Sequence, residues 1–180
     1  TRAKVTAKDK VLISGASGGV GSAAVQLAKA RGAYVIAITS PSKNEQLLEL
    51  GVDQVIARDA DLIDKKKKNS IDVVIDLVAG KQWPQFLQLL KPGGRYAVSG
   101  AIGGPLVELD IRTLYLKDLS FFGCTVLNPE VFQNLVNYIE QGKIKPIVAR
   151  AFPLQEIGAA QQFFLDKTHT GKIVLNITDS

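Results

Sequence analysis

The stretch VLISGASGGVGSAAVQLAKARGA, residues 11 to 33, decides the fold of this chain. It opens on a short apolar run, Val11 to Ser14, and enters a cluster of glycines at positions 15, 18, 19 and 21. Val20, Ala23, Ala24, Leu27 and Ala28 then recur at helical spacing, and Gly32 ends the helix. A tight strand-to-helix turn needs small residues so that backbone can come close to a ligand. The helix beginning there directs unpaired N–H groups and its dipole at an anion. Gly15, Ser17, Gly18, Gly19, Val20 and Gly21 are therefore candidate ligands of a diphosphate. Measured against G-x-G-x-x-G, Ala16 stands at the first glycine, while Gly18 and Gly21 keep the other two. A glycine pattern alone is a weak signal. Here a strand precedes it, a helix follows, and a second strand ends roughly twenty residues on.

Outward from that turn, strand and helix patterns alternate. YVIAITS (34–40) is a buried-type strand; Pro41 and Ser42 open a helix through Leu47, Leu48 and Leu50, closed by Gly51. QVIA (54–57) is a third strand, and IDVVIDLVA (71–79) a fourth, apolar on both faces as a covered strand should be. Trp83, Phe86, Leu87 and Leu90 make the next helical stripe, stopped by KPGG. RYAVSG (95–100) and LSFFGCTV (119–126) are strands five and six. This alternation predicts an α/β fold of Rossmann type, a doubly wound parallel six-stranded sheet, with right-handed crossovers. Beyond it, Phe132, Leu135, Val136 and Ile139 form a helix from Asn128-Pro129 to Gly142. IVARAF (147–152), a short helix around Ile157, Ala160 and Phe164, and a last strand KIVLNI (172–177) complete the chain.

A dinucleotide is the ligand such a turn serves, and the end of the second strand selects which one. NAD binders place Asp or Glu there to accept from the ribose hydroxyls. This chain has Ser40, then Ser42 and Lys43, with Arg58 just past the third strand. Hydroxyls and cations suit a 2′-phosphate that a carboxylate would repel, so the expected cofactor is NADP(H). A P-loop is excluded because no Lys-Ser/Thr pair follows Gly21. The missing acidic residue also disfavours a methyltransferase.

Composition narrows the classes further. Hydrophobic content of 46% and charged content of 22% are ordinary for a globular protein. No apolar run reaches the ~18 residues of a membrane span, so no membrane partner is expected. The net charge of +5 includes the run Lys65 to Lys68, which reads as a solvated turn. It lacks interleaved aromatics, and no nucleic-acid partner is expected. The single cysteine, Cys124, excludes an internal disulfide and fits a reducing, cytoplasmic location. With one histidine besides, His169, a Cys/His zinc site is not expected, and no metal is assigned. The chain begins TRAKVTAKDK and contains no Met, which leads us to expect a piece of a longer protein.

GASGGVGSAAVQLAKARGA followed by VIAITS-PSK resembles the zinc-independent quinone oxidoreductase branch of the medium-chain dehydrogenase/reductases. The likeness continues through IDVVIDLVAG, LLKPGGRYAVSG, LKDLSFFGC and TGKIVLNI, nearly the whole chain in the family's order. It implies hydride transfer from nicotinamide to a small-molecule quinone or α,β-unsaturated carbonyl. It places the nicotinamide against Val78, Ser99, Gly100, Ala101 and Phe122, and gives Lys172 a part at the cofactor phosphates. It also implies a homodimer. Residues 1–144 would be the NADP(H)-binding domain, and residues 145–180 a segment of a catalytic, GroES-like domain whose larger part comes earlier in sequence. The chain alone would then bind NADPH but turn over acceptors poorly, and IVARAF would expose an apolar patch. One departure is VIAR (55–58), where relatives carry V-I-N-Y; Arg58 stands in place of an aromatic.

No catalytic acid is assigned. Tyr115 and Tyr138 qualify by residue type alone, and core or surface packing explains both better. Two rivals stay open. Gly15, Gly19 and Gly21 also fit the turn of a short-chain dehydrogenase, although no tyrosine has lysine four residues on. A non-catalytic NADPH-binding module on the same fold is the other.

Overall fold

The computed structural model describes residues 1–125 and 128–177. Its first strand, β1 (Lys10–Ile13), leads through the glycine turn into α1 (Gly19–Ala30) and β2 (Tyr34–Thr39). A 3-10 turn at Pro41–Lys43 runs into α2 (Asn44–Glu49), followed by β3 (Gln54–Ala57), α3 (Leu62–Lys65) and β4 (Ile71–Asp76). A second 3-10 turn opens α4 (Trp83–Leu89), then come β5 (Leu90–Val98), α5 (Ile111–Leu116) and β6 (Ser120–Gly123). These six strands form one parallel sheet in the order β3-β2-β1-β4-β5-β6. That is the doubly wound arrangement expected, with the strand order reversing between β1 and β4.

Alternation along the strands builds two cores, one on each face of the sheet. Leu12, Ile36, Ile38, Ile56 and Val74 pack with Trp83, Phe86 and Leu87 of α4. Val11, Ile13, Val35, Ala37 and Val73 pack on the other face with Val25 and Ala28 of α1. Burial on both faces is why these strands are apolar throughout. Ile36 has no solvent exposure, so Ile36→Val should lower stability by about 0.5–1.5 kcal/mol. A thermal melt that does not move would contradict this packing.

After β6, α6 (Pro129–Glu140) precedes a separate two-stranded parallel sheet of β7 (Val148–Pro153) and β8 (Lys172–Asn176), joined by α7 (Ile157–Leu165). In this unit Val148, Ile157, Phe164, Leu165 and Val174 are exposed.

Several boundaries differ from the sequence reading, each for a local reason. β4 stops at Asp76 instead of running to Ala79, because Asp76 Oδ1 accepts the amides of Val78 (2.9 Å) and Ala79 (3.0 Å). Those bonds turn the chain out of the sheet, and Ala79 takes a left-handed φ of 58°. β5 begins at Leu90, earlier than expected, since Leu90 pairs with Ile71 across a register break; KPGG forms the bulge. Leu90 is thus strand, and α4 ends at Leu89. β6 ends at Gly123, and Val126 of the expected strand lies outside the described residues. α5 gave no periodic signal: Ile111, Tyr115 and Leu116 are exposed, and the helix is begun by Asp110, whose carboxylate accepts from the Arg112 amide at 2.9 Å. The lysine run begins inside α3, and Lys66 donates to Gln54 Oε1, so only part of it is a free turn.

Candidate functional site

The glycine turn sits at the carboxyl ends of the strands, beside the β1/β4 switch point where doubly wound sheets open a crevice. A cleft of about 940 Å³ lies there. Gly21 shows why the turn must be glycine: a Cβ on it would run into the Gly15 carbonyl and come within 2.7 Å of Ala16 Cα. Gly15 itself holds a φ of 62°, a conformation in which a side chain is strained. Gly18 stands at the N-cap of α1 with no side-chain cap, and the first turn carries no acidic residue. Its leading amides are thus left for an anion.

Beneath the turn lies a buried polar network. The Asp76 carboxylate is fully buried. It accepts hydrogen bonds from the Ser14 hydroxyl, the Tyr96 hydroxyl and the amides of Val78 and Ala79. Ser14 Oγ accepts in turn from the Leu77 amide at 2.9 Å. Burial and the neighbouring carboxylate push the Tyr96 phenol well above its ordinary pKa, so it remains a donor. The network ties the glycine turn to the loop after β4.

One end of the cleft is basic. Ser40, Lys43 and Arg58 line it, and Thr39 Oγ1 donates to Ser17 Oγ at 3.0 Å. Lys43 Nζ donates to the His169 carbonyl at 2.6 Å. Burial first, then repulsion from Arg58 and Lys167, lowers the Lys43 pKa. The charged side chains lining the cleft are Lys43, Arg58, Lys81, Lys167 and Lys172, and no Asp or Glu is among the lining residues. At the other end lie Val78, Ala79, Ser99, Ile102 and Gly103. Gly103 donates its amide to the Val78 carbonyl at 2.7 Å, closing the two loops on each other.

The segment before β8 completes the wall. Gly171 forms a parallel bridge with Gly18 and donates its amide to the Ser17 carbonyl at 3.1 Å. The aliphatic part of Lys172 lies where a Cβ on Gly19 would be.

Twelve of the residues singled out from sequence line this one cleft: Gly15, Ser17, Gly18, Gly19, Val20, Gly21, Ser40, Lys43, Arg58, Val78, Ser99 and Lys172. Four are not brought to it. Ser42 is exposed with its hydroxyl 3.4 Å from that of Ser40. Gly100 packs against the Leu77 carbonyl, where a side chain would not fit. Ala101 is exposed beyond the rim, and Phe122 packs into the core beside α1. Tyr115 is exposed on α5 and Tyr138 sits on α6; neither lines the cleft. Sequence reasoning missed Ser14, Asp76, Lys167 and His169. A single carboxylate in the otherwise apolar run VVIDLVA was the one available hint of Asp76.

A profile of the zinc-binding dehydrogenase family matches residues 19–141. The acryloyl-coenzyme A reductase of Metallosphaera sedula is 33% identical over 176 residues, 97% of this chain and 52% of that protein. The quinone oxidoreductase of Homo sapiens is 32% identical over 184 residues, 95% of this chain and 55% of that one. A solved structure from Sinorhizobium meliloti 1021, assigned provisionally as an alcohol dehydrogenase, superposes with a TM-score of 0.89 at 43% identity. It covers 97% of this chain and 50% of that one. The chain thus spans about half the length of the curated relatives it matches.

Proposed function

The chain belongs to the zinc-binding dehydrogenase family, as the NAD(P)-binding domain of a medium-chain dehydrogenase/reductase, and on that footing we propose that it holds NADP(H) for hydride transfer to a quinone or an α,β-unsaturated carbonyl. The observation that carries the choice of coenzyme is the charge of the cleft: five cations line it and no carboxylate does. A ribose diol asks for a carboxylate, and a 2′-phosphate dianion asks for cations.

The fit to a dinucleotide rests on the turn. Gly15 takes a left-handed φ and Gly21 packs on the turn's own backbone, so side chains there would break the turn, and the leading α1 amides have no side-chain cap. These would hold the diphosphate, with Lys172 beside Gly19. Ser40, Lys43 and Arg58 would hold the 2′-phosphate. Val78, Ala79 and Ser99 would bound the nicotinamide end. When bound, the coenzyme supplies a hydride from its nicotinamide, and the protein supplies placement and field. Among the described residues no group of three or more His, Cys, Asp or Glu is placed to hold an ion.

The acceptor class rests on likeness to relatives that are quinone and acryloyl-coenzyme A reductases. We place the domain boundary between residues 144 and 145, with 145–180 belonging to a catalytic domain. The family profile ends at residue 141, and the β7-β8 sheet is separate and carries several exposed apolar side chains. β6 is an edge strand of the large sheet and would pair across a two-fold axis in a homodimer.

Titration of the chain with NADPH and NADH side by side tests the coenzyme. A charge-assisted contact is worth about 1.5–3 kcal/mol, so Lys43→Ala should weaken NADPH binding by roughly 10- to 150-fold. NADH binding should change little. Equal losses for both coenzymes would remove Lys43 from the phosphate.

A further inference from the structure

Resting on that NADP(H) reading, we propose that His169 is a ligand of the coenzyme's 2′-phosphate, delivered to it by residues 167–172 and engaged through its protonated form. Three observations carry this. The first is placement. Residues 167–172 follow the glycine turn by about 150 positions in sequence yet form a wall of the same cleft. They are fastened there by the Gly18–Gly171 bridge, by the Lys43 ammonium on the His169 carbonyl at 2.6 Å, and by the Thr170 hydroxyl donating to Gln46 Oε1.

The second is the state of the imidazole. Its ring stacks on Phe163, with centroids 5.4 Å apart and planes 24° apart, and lies 5.8 Å from Phe164. These contacts hold its orientation. Its Nδ1 is shut off from solvent and has no hydrogen-bond partner. A buried polar nitrogen without a partner costs free energy, which a turn of the ring toward an acceptor in the cleft would recover.

The third is charge. Lys43 from the turn after β2 and Lys167 from the same segment face the ring, and Arg58 from the turn after β3 faces Lys43. On its far side His169 borders a second cleft, where Glu49 of α2 and Lys145 are the charged groups. The coenzyme side therefore presents cations to a histidine and no anion to balance them. Without ligand, burial first and then Lys43 and Lys167 lower the imidazole pKa. A dianion among the same groups reverses the balance. The corresponding hydroxyl of NADH carries no charge and leaves it in place.

His169 is the chain's one histidine, so an untagged preparation gives a single imidazole signal in NMR. Free protein should titrate below the ordinary ~6.5. Saturating NADPH should raise the midpoint by about one unit or more, and NADH by far less. By linkage, affinity for the coenzyme that raises the pKa gains as pH falls. The 2′-phosphate itself protonates near pH 6, so the comparison is with His169→Gln. The variant should lose about 3- to 10-fold more NADPH affinity than the wild type between pH 8 and pH 6. If both coenzymes bind and protect the glycine-turn amides, yet move the imidazole equally or not at all, the role of His169 is overturned and the NADP(H) reading stands. If neither binds, both are overturned.

Discussion

Gly21→Val should abolish binding of both coenzymes and lower the melting temperature by several degrees. The added Cβ meets the Gly15 carbonyl and the Ala16 backbone, which cannot swing away as a side chain can. Overpacking of this kind costs about 1–3 kcal/mol, or roughly 2–12 °C for a domain of this size. Binding suffers more, because relief of the clash moves the amides proposed to hold the diphosphate. We expect at least a 100-fold loss, on the order of 3 kcal/mol. Gly19→Ala is the contrast. Its Cβ meets first the methylenes of Lys172, which can move, so stability should stay within about 0.5 kcal/mol. Calorimetric titration and thermal melts of the two variants check this; a Gly21→Val protein that binds as tightly as the wild type would refute the placement of the diphosphate.

The second large effect is expected at Asp76. Alanine there leaves two hydroxyls and two amides without their acceptor in a buried place. Unsatisfied buried donors cost about 1–3 kcal/mol each before relaxation, so a loss on the order of 4 kcal/mol is expected for Asp76→Ala. Asparagine should do much less harm. Its carbonyl can keep the Ser14 and backbone donors, and its amide can donate to Tyr96, whose hydroxyl can also accept. The remaining loss is charge assistance, about 1–2 kcal/mol. Denaturant unfolding of both variants measures the difference. An alanine variant within about 1 kcal/mol of wild type would show that the network does not hold the loop after β4.

The sheet was legible because its signals are local. Apolar alternation in β1 to β5 and helical spacing in α1 and α4 each lie within a dozen residues. Where a local rule had a competitor, the boundary moved: Asp76 ended β4 early, and the Leu90–Ile71 pairing began β5 early. α5 had no buried stripe to betray it. At the site, the glycine turn and the Ser40–Lys43–Arg58 group were readable for the same reason. Phe122 was not, because a strand residue near the cleft and one in the core look alike in sequence.

By itself the sequence determined the parallel α/β sheet, the glycine turn between its first strand and helix, and the absence of an acid at the end of the second strand. Those follow from spacing and from backbone sterics that only glycine satisfies. Tertiary structure decided what stands opposite the turn. Gly171 and Lys172 against Gly18 and Gly19, the His169 carbonyl on Lys43, and Tyr96 with Ser14 on Asp76 are all meetings of residues distant along the chain. Periodicity carries no record of such pairs. They exist because the strands and the returning C-terminal segment are brought to one edge of the sheet.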